Sequence, residues 1–102
     1  MMSRLEKLET LLKKEPDDSF LNFGLAMELA KNERFAESLV QFDRTIALNP
    51  NYIAAYFQKG RTLVSMGEED LAKQALQAGI QQANLCGETH AAGEMQELLA
   101  SL

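Results

Sequence analysis

The chain has 102 residues, 46% of them hydrophobic, which is long enough for a packed core and too apolar for a disordered segment. Its formal net charge of −5 argues against a nucleic-acid backbone or an anionic membrane as the main partner, since either repels an acidic surface. A single cysteine, Cys86, excludes an internal disulfide and gives no sign of secretion.

The first predicted element is a helix over residues 3–14. Ser3 and Glu6 have capping-box spacing, and Leu5, Leu8 and Leu12 form one stripe. Charges at Arg4, Glu6, Lys7 and Glu9 break any apolar signal-peptide core. No apolar run of roughly 18 residues occurs later in the chain, so the cytoplasm is the expected compartment. Asp17 or Asp18 then caps a second helix, about 18–31, ended by Asn32. It carries Leu21, Leu25 and Leu29 on one side and Phe20, Phe23 and Met27 on another. A helix apolar over more than one face is buried on both sides or presents a binding surface.

In the third helix Phe35, Leu39, Phe42 and Ile46 share one face, until Asn49-Pro50-Asn51 stops it. Pro50 disfavours helical geometry at Asn49, and Asn51 is expected to cap the fourth helix. That helix places Ile53, Tyr56, Gly60 and Leu63 on one face, with Gly67 as its left-handed cap. The short turn makes helices three and four antiparallel neighbours, and Gly60 permits close backbone approach.

A fifth helix, 68–85, opens with Glu68-Glu69-Asp70, acids that suit the positive end of its dipole. Ala72, Ala75 and Gly79 permit close packing, while Gln74, Gln77 and Gln81 read as a solvated face. Gly87 breaks this run. Residues 88–102 read as a last helix with Ala91, Met95, Leu98 and Leu102 inward, closing the end of a stack.

The pattern recurs. Pro50 lies 34 residues after Pro16, and the same step carries Ser38, Phe42 and Ile46 onto Ala72, Leu76 and Ile80, and Ala26 and Leu29 onto Gly60 and Leu63. Such a period signals stacked helical units, none of which buries its apolar face alone.

At these residues the chain resembles the tetratricopeptide repeat family. Tyr56-x-x-Lys59-Gly60-x-x-Leu63 matches the first half of the family pattern, with Lys59 in place of leucine. Ser38-x-x-x-Phe42 with Pro50 after it matches the second half. Asn22-x-x-Leu25-Ala26-x-x-Leu29 is a degenerate copy lacking the aromatic. In the later copy Glu69 replaces the aromatic found as Phe35, and Asn84 replaces the closing proline. The resemblance implies an all-α fold of antiparallel helix pairs in a short right-handed superhelix. The expected division of this single domain is a half-repeat helix at 1–16, repeats at 17–50 and 51–84, and a closing helix at 85–102.

It also implies a function. In tetratricopeptide proteins the first helices of successive pairs line a concave groove that holds partner segments. The corresponding lining is Phe20, Phe23, Met27 and Lys31 in repeat one, and Phe57, Gln58, Arg61 and Ser65 in repeat two. Phe20 and Phe23 read equally well as core. A subclass grips C-terminal carboxylates with Lys and Asn, but Phe23 and Met27 are apolar at those positions, and Arg61 alone remains to pair a carboxylate. The expectation is a non-catalytic module that binds a partner peptide or helix in a largely apolar groove, with Gln58 and Arg61 as polar specifiers. The alternative is self-association into a homo-oligomer.

No cofactor, metal or small-molecule substrate is expected. His90 has no second ligand at helical spacing. Cys86 lies four residues from it across a glycine break with no third orienting group, so it reads as a small packing thiol. Glu68-Glu69-Asp70 reads as a helix start rather than a metal site.

Overall fold

The computed structural model describes residues 1–102 as six α-helices and no strand: α1 Arg4–Lys14, α2 Ser19–Lys31, α3 Phe35–Leu48, α4 Ile53–Ser65, α5 Glu69–Leu85 and α6 Thr89–Ala100. They form two compact units, residues 1–49 with α1 to α3 and residues 50–102 with α4 to α6.

In the first unit the helix starts are set by side chains. Ser3 Oγ accepts from the Glu6 N–H at 3.1 Å and Glu6 Oε1 accepts from the Ser3 N–H at 3.3 Å, a complete capping box. Asp18 Oδ1 accepts from the Leu21 N–H at 2.9 Å and starts α2. Helix α2 packs against both α1 and α3. It buries Leu25, Ala26 and Leu29 with the polar Asn22, while α3 contributes Phe42, Ser38 and Thr45. The two buried hydroxyls on α3 are satisfied within their own helix: Ser38 donates to the Phe35 carbonyl at 2.7 Å and Thr45 to that of Gln41 at 2.8 Å.

In the second unit α5 packs against α4 and α6 around Ile53, Leu76, Ala83, Ala92 and Met95. Close approach is built in by glycine. A Cβ on Gly60 would stand 2.7 Å from Leu76 Cδ2, and one on Gly79 would stand 2.6 Å from both Tyr56 Cβ and Met95 Sδ. The Tyr56 hydroxyl donates to the Pro50 carbonyl at 2.8 Å and ties the start of the unit to α4. Partial burial, and secondarily the charge of Cys86, pushes this phenol above its ordinary pKa.

Burial repeats with the 34-residue step. Ser38 and Ala72 are both fully buried, as are Phe42 and Leu76; Ala26 and Gly60 are buried, and so are Leu29 and Leu63. The solvated face assigned to Gln74, Gln77 and Gln81 is exposed.

Three helices end in the same way. After α2, α4 and α5 the chain turns through a left-handed residue, with Arg34, Glu68 and Glu88 N–H groups donating to the carbonyls of Leu29, Leu63 and Ala83. The left-handed residues are Gly67 (φ +75°), Gly87 (φ +74°) and Glu33 (φ +59°). Only Glu33 carries a Cβ there. Glu33→Gly is therefore expected to raise stability by about 0.5–1 kcal/mol, the left-handed strain of ~1–2 kcal/mol less the added chain entropy of glycine. An increased urea midpoint at unchanged slope is the readout.

Two local expectations fail. Asn51 does not cap α4, whose N-cap residue is Tyr52 with no side-chain capping bond; the Asn51 Oδ1 instead accepts from Gln82 Nε2 at 2.6 Å, which ties the turn to α5. Cys86 is exposed rather than packed. It is the C-cap residue of α5, where the chain is already turning away through Gly87, so the inward face of the helix ends at Ala83. In α6 Ala92 is more deeply buried than Ala91, and Met95 is fully buried.

Candidate functional site

The start of α2 at its Asp18 cap fixes which way its aromatic residues point. Asn22, Leu25, Ala26 and Leu29 turn inward. Phe20, Phe23 and Met27, spaced by three and four, then lie along another strip. Phe20 is 71% exposed. Phe23 is half-buried, its ring tilted at 59° against that of Phe42 with centroids 6.0 Å apart, so it is both part of the packing and the floor of the strip. Met27 is half-buried and Lys31 is exposed.

On α4 the corresponding residues are Phe57, Gln58, Arg61 and Ser65. Phe57 rests against the core of the second unit and remains half-exposed. The Arg61 guanidinium lies 5.9 Å from the centre of the Phe57 ring, a cation–π geometry that holds the exposed cation on this strip. Gln58 is half-buried beside them. Ser65 is exposed, and its hydroxyl donates to the Arg61 carbonyl at 3.2 Å. Tyr56 is turned toward Pro50 by its hydrogen bond, so of the two adjacent aromatic residues Phe57 is the one beside Arg61.

The remaining reactive side chains stand apart. His90 is 94% exposed, with Nε2 3.4 Å from Glu94 Oε1. No three His, Cys, Asp or Glu side chains converge where they could hold a metal ion. No helix is long and apolar enough to cross a membrane. Outside the two strips, Val40, Leu71 and Leu85 are exposed apolar residues that helical periodicity does not single out, because a stripe identifies the buried face and leaves the outer one undescribed.

Comparison with known proteins decides the family. No family model matches the chain. The TPR repeat-containing protein PA0015 of Pseudomonas aeruginosa is 32% identical over 101 residues, covering 96% of this chain and 93% of that protein. The chain belongs to the tetratricopeptide repeat family. Among solved structures, this tetratricopeptide chain is similar to protein BPP2914 from Bordetella parapertussis, with 29% identity, a TM-score of 0.87, and coverage of 99% of this chain and 88% of that one. It also superposes on the TPR2B domain of yeast Sti1, solved as a complex with pHsp70, with 23% identity and a TM-score of 0.88 over 94% of this chain and 77% of that one. At that identity the second likeness speaks for the tetratricopeptide fold alone.

Proposed function

We propose that this tetratricopeptide protein is a non-catalytic interaction module, with repeats at 17–50 and 51–84 whose first helices, α2 and α4, each carry a partner-binding strip. The observation that carries this reading is Phe20, a large aromatic left 71% exposed on a helix whose other side is buried. Covering a phenylalanine side chain is worth about 1.5–3 kcal/mol, so a protein segment that lays an apolar side chain along Phe20 and Met27 gains most of its affinity there. On α4, Arg61 and Gln58 supply polar recognition beside Phe57, suited to a carboxylate or a main-chain carbonyl. Phe23 and Met27 put apolar side chains where a carboxylate clamp needs Lys and Asn, so an apolar peptide or helix face is the favoured ligand. Membership of the tetratricopeptide repeat family, and a fold shared with the Sti1 domain solved as a complex with pHsp70, support a protein partner.

Phe20→Ser tests this. Because the side chain is exposed, the unfolding free energy from urea titration should stay within a few tenths of a kcal/mol, while capture of the native partner drops about tenfold. Undiminished capture by a folded variant would remove α2 from the binding surface. The same exposed ring favours a second reading, in which the α2 strip seals against another copy of the chain. In that case Phe20→Ser lowers the mass in sedimentation from dimer to folded monomer.

A further inference from the structure

Helix α1 has a face that no helix of its unit covers. It packs against α2 alone, and none of its residues is fully buried. Arg4, Lys7, Leu11 and Lys14, spaced by three, four and three, share one stripe, and all of them are exposed, Leu11 by 46%. The 34-residue step shows what lies on such a stripe elsewhere in the protein. One step carries it onto Ser38, Gln41, Thr45 and Leu48 of α3, and a second onto Ala72, Ala75, Gly79 and Gln82 of α5. None of those residues is exposed. Leu8, beside the stripe, is half-buried, whereas Phe42 and Leu76 at its register are fully buried. In both cases the cover is the first helix of a pair. Helix α2 packs on α3 with Phe23 against Phe42, and α4 packs on α5 with Gly60 at Leu76 and Tyr56 at Gly79.

The same register gives the absent cover its chemistry. Gln82, which corresponds to Lys14, donates to Asn51 Oδ1 at 2.6 Å, just before α4 begins. A carboxylate at that place in an incoming helix would accept from the Lys14 ammonium, which makes no ion pair within the protein. Gly60, nine residues after Asn51, is the small residue that passes over Leu76. A small residue at that place would pass over Leu8. The contacts between α1 and α2 fix what else this helix meets. Arg4 is bridged to Glu28 at 3.3 Å, and a Cβ on Gly24 would stand 3.2 Å from Leu8 Cδ2. Helix α1 therefore runs antiparallel to α2, and Leu11 and Leu12 draw level with Phe20, one turn from Gly24 on the same side of α2.

We propose that the α1 stripe seats an amphipathic helix of a partner protein, with an acid at its N-terminal cap and a small residue nine positions later. It lies on α1 as α4 lies on α5. The acid meets Lys14, the small residue passes over Leu8, and apolar side chains cover Leu11 and Phe20. The helix comes from another protein because both first helices of this chain, α2 and α4, are already seated on α3 and α5. The proposal rests on the reading of the α2 strip above and names the ligand of that strip.

The probe is a fluorescein-labelled peptide copying residues 50–67 with Asn51→Asp, which is the chain's own first-helix pattern with the acid in place. Fluorescence polarisation should show it binding the parent protein. Leu11→Glu and Lys14→Glu, both at exposed positions, should each weaken it about tenfold. A peptide with Asn51→Lys should recover binding to the Lys14→Glu protein, and Gly60→Leu in the peptide should abolish binding to the parent. Binding that neither α1 variant changes, or no binding at about 1 mM, would overturn the proposal. Capture of the native partner separates it from the reading on which it rests. Capture lost in Phe20→Ser but intact in both α1 variants would overturn the α1 seat and leave the α2 strip standing, whereas capture intact in all three would remove both. A parent dimer that Leu11→Glu dissolves would give the stripe to a second copy and reject the partner helix.

Discussion

Gly60→Leu is expected to destabilise the second unit strongly. At this position α4 and α5 are so close that a Cβ alone would stand 2.7 Å from Leu76 Cδ2 and 2.8 Å from its Cγ. Leu76 is fully buried, so it has no open space to move into. A leucyl group there must push the helices apart or force strained rotamers, at a cost of on the order of 1–3 kcal/mol or more against a total stability of about 5–15. Gly79→Ala should be damaging for a related reason: one of its clashes is with Tyr56 Cβ, one bond from the α4 backbone, which no rotamer change removes. Gly93 is the control. A Cβ there meets nothing within 4 Å, and Gly93→Ala inside α6 should gain about 0.5–1 kcal/mol in helix propensity. Urea unfolding monitored by circular dichroism separates the three. A Gly60→Leu variant as stable as the parent would show that α4 and α5 do not meet at this residue.

The second large effect is expected from Phe42→Ala. Phe42 is the largest fully buried side chain in the protein, and truncating it removes the transfer free energy of the ring and leaves a cavity, about 3–5 kcal/mol in all. The consequence reaches the proposed binding strip, because the Phe23 ring rests on Phe42. Without that support Phe23 can sink into the space. The variant should therefore lose more partner binding than its unfolded fraction explains, as measured without urea at a temperature where most of the chain remains folded. Phe42→Leu, which keeps most of the volume, should recover both properties in large part. Binding that tracks only the folded fraction would show that the strip does not depend on this ring.

Much of the fold was legible because its devices are local. Ser3 with Glu6, Asp18, Gly67 and Gly87 each act within one helical turn of the residue that reveals them. The 34-residue step was legible because it imposes the same burial on Ser38 and Ala72, and on Phe42 and Leu76. Less visible were features that depend on a distant partner. Asn51 is a good capping residue by type, but its Oδ1 is engaged by Gln82, 31 positions away. Cys86 has an inward spacing by helical count, yet the chain departs from that face one residue later. Glu33 in a left-handed turn has no composition signal at all; only its register with Gly67 reveals it. The candidate surface was half legible. Spacing places Phe20, Phe23 and Met27 on one strip of α2, but spacing cannot say that Phe20 is exposed while Phe23 lies against Phe42. An open furrow of about 420 Å³ between α1, α2 and α3, lined by Leu12, Asn22, Leu25 and Val40, was hidden because three helices make it and no single one carries its pattern.

The central claim is that the exposed α2 strip touches a partner protein, and site-specific photo-crosslinking in living cells tests it most directly. A benzophenone amino acid replaces Phe20 in one variant and Gln77, exposed on α5, in the other. The expected result is a discrete higher-mass adduct with a different protein from position 20, absent from position 77 and abolished when Met27→Glu is added to the same strip. No adduct from position 20, or equal adducts from both positions, would contradict the claim.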